Sequence, residues 1–142
     1  MTTVKEILDT KGHEVWSIGP DTTVYETITM MAEKEVGALL VTENGKPVGL
    51  VSERDYARKV ILKGRSSQQT MTRDIMTKRV IYAYPDQTIE ECMAIMTEQR
   101  IRHIPVIDGD TLLGMVSIGD LVKSIIAEQQ FLIKQLEHYI SS

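Results

Sequence analysis

Hydrophobic and polar positions along this chain follow two periods, which together predict a mixed α+β fold. Apolar residues recur at helical spacing between Ile89 and Met96, and the helix is expected to extend to about Arg100. Short apolar runs bounded by turn residues predict strands at Val80–Tyr84, Ile101–Ile107 and Leu112–Val116. A second helix is predicted over Asp120–Ala127, so the order of elements is β-α-β-β-α.

The first half of the chain predicts the same order of elements. The expected strands and helices are Val15–Ile18, Thr23–Lys34, Gly37–Thr42, Val48–Val51 and Asp55–Leu62. Asn44-Gly45 between two apolar runs is a strong signal for a hairpin turn. A short helix is predicted before each copy, at Val4–Leu8 and at Arg73–Met76.

This similarity is an internal repeat with an offset of 65 residues. Pro20–Ile61 aligns without gaps on Pro85–Ile126, and 12 of the 42 positions are identical. A unit of roughly 60 residues buries little surface alone, so we expect two units packed face to face with pseudo-twofold symmetry. The predicted boundaries are 4–62 for the first unit, 63–72 for a linker, 73–127 for the second unit and 128–142 for a C-terminal amphipathic helix.

Composition narrows the class of protein. The 142 residues are 42% hydrophobic and 25% charged, with a formal net charge of −4, which argues against binding to nucleic acid or to an anionic membrane. No apolar run approaches the roughly 20 residues that span a bilayer, and the first residues lack a secretory signal. A cytoplasmic location is therefore expected.

The identical positions include a Gly, a Ser and an Asp at fixed spacing in both copies. These are Gly49, Ser52 and Asp55 in the first copy and Gly114, Ser117 and Asp120 in the second. A carboxylate at a helix start can accept hydrogen bonds from both hydroxyls of a ribose, and the serines can face a phosphate or ribose. The alternative is that each Asp only caps its helix and each Ser only forms a turn.

Catalytic and metal-binding patterns are not found in the sequence. The single cysteine, Cys92, lies on an apolar helix face, and the three histidines have no spacing suited to zinc. No nucleophile–base motif and no paired carboxylates with an acid/base rationale occur, so an enzyme is not expected.

These features resemble a known family. The β-α-β-β-α unit, the Ile101–Asp108 strand and the two Gly-x-x-Ser-x-x-Asp segments are similar to a cystathionine-β-synthase (CBS) domain. Two in tandem resemble a CBS pair, or Bateman module, and the resemblance covers about Val4 to Ala127. It implies a stand-alone CBS pair of the kind that binds adenosine-containing ligands and acts on other proteins.

The resemblance also implies particular nucleotide-binding residues. Arg102 and His103 would contact phosphates, whereas the first copy has Gly37 and Ala38 there, and Arg54 is expected to supply its charge. The adenine slot and its surroundings would be formed by Thr77, Val80, Ile81, Ile104 and Pro105 in one copy and by Val15, Trp16 and Leu39 in the other. The two sites should therefore differ. Trp16 would stack on a base or fill the core.

The leading hypothesis is a regulator that binds AMP, ADP, ATP or NAD(H), senses energy or redox state, and modulates an unknown partner protein. No cofactor is required. A homodimer through the CBS helices is expected, with the tail contributing. Two alternatives remain: a ligand-free structural module for protein interaction, and a small enzyme acting on nucleotides.

Overall fold

The computed structural model of the chain describes residues 2–141, which form two compact units. Residues 2–14 and 81–141 form one of them, called the terminal unit below. Val15–Val80 form the other, called the central unit. Both contain helices and strands, which confirms the predicted α+β class.

The elements follow the order predicted from the repeat, except at the strand predicted for Val80–Tyr84 and the helix predicted for Arg73–Met76. They are α1 (Val4–Lys11), β1 (Ser17–Ile18), α2 (Val24–Lys34), β2 (Ala38–Glu43), β3 (Lys46–Ser52), α3 (Glu53–Tyr56), a π-helical turn (Ala57–Ile61), a 3-10 turn (Thr72–Asp74), α4 (Ile89–Gln99), β4 (His103–Asp108), β5 (Thr111–Ser117) and α5 (Ile118–Ser141). The central unit has a three-stranded sheet of order β1-β2-β3, and the terminal unit has the hairpin β4-β5.

Both hairpins have the same irregularity. The register shifts between Val41 and Thr42 in the central unit and between Val106 and Ile107 in the terminal unit, which are equivalent positions of the repeat. Asn44 and Gly45 both have positive φ, at 54° and 77°, as a two-residue type I′ turn requires. The predicted hairpins are thus confirmed.

One predicted strand, Val80–Tyr84, does not form. Within this segment only Ala83 pairs, as an isolated parallel bridge with Val106. In the central unit the backbone N–H of Leu40 donates to the Trp16 carbonyl at 3.1 Å. The residue equivalent to Leu40 is Pro105, which has no N–H, so the corresponding ladder is interrupted.

The helices α2 and α4 begin and end in the same way. Thr23 and Thr88 are the N-caps, and their hydroxyls accept hydrogen bonds from the backbone N–H of Glu26 at 3.2 Å and of Glu91 at 3.1 Å. Each helix ends on a residue in the left-handed region, Glu35 in the first case and Arg100 in the second. Local capping chemistry therefore repeats along with the hydrophobic pattern.

The segment before each repeat packs on the other repeat. Leu8 of α1 lies over Gly114, where an added Cβ would be 2.7 Å from the leucine Cδ2. Met76 lies over the equivalent Gly49 in the same way, with its Sδ 2.6 Å from an added Cβ. The helix predicted at Arg73–Met76 is only a 3-10 turn, because the chain then extends and pairs Thr77 with Leu50.

Each unit has its own hydrophobic core. In the central unit the fully buried side chains include those of Val24, Leu39 and Val51. In the terminal unit α1 contributes Val4, Ile7 and Leu8 to a core that also contains Ile89, Cys92, Met96, Ile104, Val106, Val116 and Leu121. Burial raises the pKa of the Cys92 thiol to about 11, so it is protonated at neutral pH.

The C-terminal helix is longer than the repeat requires. α5 joins the predicted Asp120–Ala127 helix and the predicted tail, whose last residue, Ser142, lies outside the described residues. Large apolar side chains of this helix remain exposed in the single chain, namely Val122, Ile126, Phe131, Leu132, Ile133, Leu136, Tyr139 and Ile140. Among residues 2–141, no helix has both the length and the apolar character needed to cross a membrane.

Candidate functional site

The repeated Ser and Asp form the same structure at the end of each hairpin. In the terminal unit the backbone N–H of Asp120 donates to Ser117 Oγ at 3.1 Å, and the backbone N–H of Ser117 donates to Asp120 Oδ2 at 2.8 Å. In the central unit Asp55 and Ser52 make the matching bonds at 3.2 and 3.0 Å. Each pair is a capping box, in which the serine is the N-cap and the aspartate is the third helical residue.

This geometry corrects the alternative in which each Asp is the N-cap and each Ser only a turn residue. The serine is the N-cap, and the aspartate lies three residues later. The aspartate uses one oxygen, Oδ2, to accept the backbone N–H of the serine. A carboxylate has room for several further hydrogen bonds. The capping role and a ligand-binding role are therefore compatible.

A cation that the sequence analysis missed lies against Asp120. Lys11, at the last turn of α1, donates from Nζ to Asp120 Oδ2 at 2.7 Å and to the Met115 carbonyl at 2.6 Å. Burial acts to raise the pKa of Asp120, but the hydrogen bonds from Lys11 and from the Ser117 backbone outweigh it and keep the pKa below its usual value. The carboxylate is ionised at neutral pH, and 18% of its side chain is exposed.

His103 belongs to the same group of side chains. It begins β4 directly opposite Ser117 in the hairpin register. Burial lowers the pKa of the His103 imidazole, the cations Lys11 and Arg102 lower it further, and Asp120 acts in the opposite direction. The ring is therefore neutral at pH 7, and one of its nitrogens can accept a hydrogen bond.

Arg102 lies next to His103 and is exposed. Its backbone carbonyl accepts the N–H of Ile118 at 2.9 Å, which fixes the start of α5 against β4. Lys11 thus binds Asp120 directly, and Lys11, Asp120 and Arg102 all lie near enough to His103 to act on its charge. This arrangement suits a ligand with both hydroxyl groups and negative charge.

In the central unit a lysine on the same helical segment compensates the charge of the carboxylate. Asp55 Oδ1 is 3.1 Å from Nζ of Lys59, which is one turn along the helix and also donates to the Ile75 carbonyl at 2.8 Å. The residues equivalent to Arg102 and His103 are Gly37 and Ala38, which carry no charge. Arg54, the cation predicted to compensate, lies exposed in the first turn of α3.

The residues predicted for the adenine slot are placed in both units. Thr77 and Val80 lie in the central unit, whereas Ile81, Ile104 and Pro105 lie in the terminal unit. Ile104 and Leu39 are fully buried in their respective cores. Val15 and Trp16 are half-buried in the central unit, and Nζ of Lys34 lies 4.2 Å from the centroid of a Trp16 ring.

The two missed lysines differ in how visible they were in the sequence. Lys59 is four residues after Asp55, a spacing at which opposite charges on a helix are neighbours. Lys11 is far from Asp120 in the chain, and only the packing of α1 in the terminal unit brings the two together.

Within residues 2–141, no three His, Cys, Asp or Glu side chains are grouped so as to hold a metal ion.

Comparisons with known proteins agree with this architecture. CBS domain-containing protein CBSX3, mitochondrial, of Arabidopsis thaliana is 39% identical over 149 residues, covering 98% of this chain and 72% of that protein. A solved structure of a protein with CBS domains from Burkholderia ambifaria MC40-6 has a TM-score of 0.87 and 51% identity, covering 90% of this chain and 96% of that one. Both are similar to the chain over nearly its whole length.

A more distant solved structure shares the fold. The CBS domain pair of protein MJ0100, in complex with 5′-methylthioadenosine and S-adenosyl-L-methionine, has a TM-score of 0.78 and 22% identity, covering 90% of this chain and 98% of that one. The CBS domain model matches residues 4–62 and 73–127, one match for each repeat. The chain therefore belongs to the CBS domain family.

Proposed function

We propose that this CBS pair is a regulatory module that binds an adenine nucleotide, with AMP, ADP, ATP and NAD(H) as the candidate ligands. The observation that carries the proposal is the ionised, partly exposed Asp120, which Lys11 binds directly and which acts together with Lys11 and Arg102 on the nearby His103. The MJ0100 complex supports the ligand class, because it contains two adenosine compounds on the same fold.

The chemistry of these side chains suits the two polar parts of a nucleotide. The free oxygen of Asp120 can accept hydrogen bonds from the vicinal hydroxyls of a ribose, since Oδ2 already accepts from Ser117 and Lys11. Arg102 and neutral His103 can donate to phosphate oxygens. The central unit offers Asp55 and Lys59 without an equivalent of this pair, so we expect its affinity for a phosphorylated ligand to be lower.

Regulation would follow from differential affinity. A ligand shifts a conformational equilibrium only by as much as it binds one state more tightly than the other. We propose that nucleotide binding changes the population of the state that a partner protein recognises. The module itself is proposed to be non-catalytic, so nucleotides incubated with it should be recovered intact.

Calorimetry on nucleotide-free protein tests the proposed site. We expect wild-type protein to bind at least one of AMP, ATP and NADH, and Asp120→Ala to weaken that binding about tenfold or more, because hydrogen bonds to a charged group contribute about 1.5–3 kcal/mol. Asp110→Ala, at an exposed acid in the β4-β5 turn, is the matched control and should bind normally. No binding to any of these nucleotides, with an unchanged melting temperature, would contradict the proposal and favour the ligand-free interaction module.

We also propose that the chain forms a homodimer in which the α5 tails take part. Apolar residues recur on one face of α5 in a seven-residue pattern, with Gln129 as the one polar member of the series Val122, Ile125, Ile126, Gln129, Leu132, Ile133, Leu136, Tyr139 and Ile140. Most of these side chains are exposed in the single chain. A contiguous apolar face of this width needs a partner, and a second copy supplies the same face.

The double variant Leu132→Glu with Leu136→Glu should shift the protein from dimer to monomer. Each substitution places a carboxylate on the apolar face, and burying an unpaired charge costs several kcal/mol. Light scattering coupled to size-exclusion chromatography measures the mass. Lys134→Glu, on the opposite face, changes the net charge by the same amount and should remain dimeric, whereas a monomeric wild type at micromolar concentration would contradict the proposal.

A further inference from the structure

Lys11 is the least expected member of the terminal-unit site. Its ammonium group donates to Asp120 Oδ2 at 2.7 Å and to the Met115 carbonyl at 2.6 Å. The lysine side chain is 38% exposed and the aspartate side chain is 18% exposed, so a ligand can reach the pair from solvent. The lysine is therefore both anchored and accessible.

A bound ribose would change the charge balance around this lysine. Asp120 is the acidic partner of Lys11, and it is also the group proposed to accept the ribose hydroxyls. Ribose hydroxyls that donate to the free oxygen of Asp120 draw on its negative charge and weaken the ion pair with Lys11, so the cations Lys11 and Arg102 that act on His103 have less compensation. A phosphate on the same ligand restores the balance, because an ammonium group binds phosphate as a point charge.

We infer that Lys11 exchanges its bond with Asp120 for a bond with a ligand phosphate, and that this exchange makes the terminal-unit site selective for nucleotides over nucleosides. The inference rests on the proposed function and deepens it by naming a specificity-determining residue. The Met115 carbonyl keeps the ammonium group in place during the exchange, since it accepts from the same Nζ atom.

The central unit lacks this arrangement. Lys59 is also bound to a carboxylate and to a carbonyl, those of Asp55 and Ile75. The neighbouring positions are Gly37 and Ala38, so no second donor side chain from them cooperates with this lysine in holding a phosphate. Selectivity for a phosphorylated ligand is thus a property of the terminal unit.

Titration calorimetry with AMP and adenosine tests the inference. Wild-type protein should bind AMP more tightly than adenosine, and Lys11→Met should weaken AMP binding about tenfold, which is about 1.4 kcal/mol, without weakening adenosine binding. Lys5→Met is the matched control, because Lys5 lies on the same helix and pairs with the exposed Asp9. It should change neither affinity. Lys11→Arg keeps the cation and should retain the preference for AMP.

Three outcomes would overturn the inference. Equal weakening of AMP and adenosine by Lys11→Met would show that Lys11 acts only by holding α1 in place, and the proposed function would stand. If Lys11→Met melts at the wild-type temperature and binds AMP as tightly as the wild type, Lys11 does not bind the ligand phosphate and the exchange does not occur. Absence of binding of both compounds to wild-type protein would overturn the inference and the proposed function together.

Discussion

Leu8→Ala is expected to lower the free energy of unfolding by about 2–5 kcal/mol, the usual cost of truncating a buried leucine. Leu8 is fully buried and lies between α1 and the β4-β5 hairpin, directly over Gly114. The strand below it has no side chain at Gly114 that could fill the space. The cavity should therefore persist, which places the expected loss in the upper part of this range.

Urea unfolding followed by far-UV circular dichroism measures this loss. Leu62→Ala is the matched control, because Leu62 is 77% exposed and its truncation should change the free energy of unfolding by less than about 0.5 kcal/mol. The Leu8 variant should also bind AMP more weakly, since α1 carries Lys11 to Asp120. An unchanged unfolding midpoint would contradict the packing of α1 into the terminal unit.

Gly49→Ala is expected to destabilise the central unit by about 1–3 kcal/mol, and more than Gly114→Ala destabilises the terminal unit. An added Cβ at Gly49 would lie 2.6 Å from Met76 Sδ and 3.0 Å from the carbonyl oxygen of Thr77. That carbonyl is backbone and accepts the N–H of Leu50, so it cannot move without loss of the bridge. At Gly114 the nearest atoms all belong to the flexible Leu8 side chain.

The fluorescence of Trp16 is a suitable probe, because it is the single tryptophan and lies in the central unit. The Gly49 variant should lower the urea midpoint seen by this probe, and circular dichroism should report the smaller loss in the Gly114 variant. Gly119→Ala serves as a control, since its Cβ would meet only Ser117 Oγ at 3.6 Å. Equal losses in the free energy of unfolding at Gly49 and Gly114 would contradict this prediction. Of these two glycines, only Gly49 has a backbone atom among the nearest neighbours of its added Cβ.

Local signals allowed most of the fold to be predicted. Hairpin turns, helix caps and hydrophobic periods act over a few residues, so Asn44-Gly45 and Thr88 could be interpreted directly. The prediction of a strand at Val80–Tyr84 was wrong because Pro105, which lies across from this segment, has no backbone N–H to donate to it. The exchange of the segments before each repeat depends on long-range packing. Its one sequence signal was a glycine retained at the same strand position in both copies, since strand glycines mark close approach.

The sequence predicted the repeated residues of the site but not the lysine that contacts Asp120. Ser117 and Asp120 stood out because they recur with Ser52 and Asp55, and the structure adds that each pair is a capping box. Lys11 could not be found from spacing, because its contact with Asp120 exists only once α1 has packed on the second repeat. Their use in nucleotide binding remains a prediction.

The discontinuity of the terminal unit has a consequence for the order of folding during synthesis. Val15–Val80 is one continuous stretch, so all of its packing partners within the unit are translated before α4 and the β4-β5 hairpin. α1 is made earlier but packs on β5, and at about 5–20 residues per second the stretch from Leu8 to Gly114 takes roughly 5–20 s to translate. For that time the apolar face of α1 has no partner in its own chain. The nascent protein therefore passes through a stage in which the central unit is fully translated and the apolar face of α1 is unprotected, which is where we expect chaperones to act.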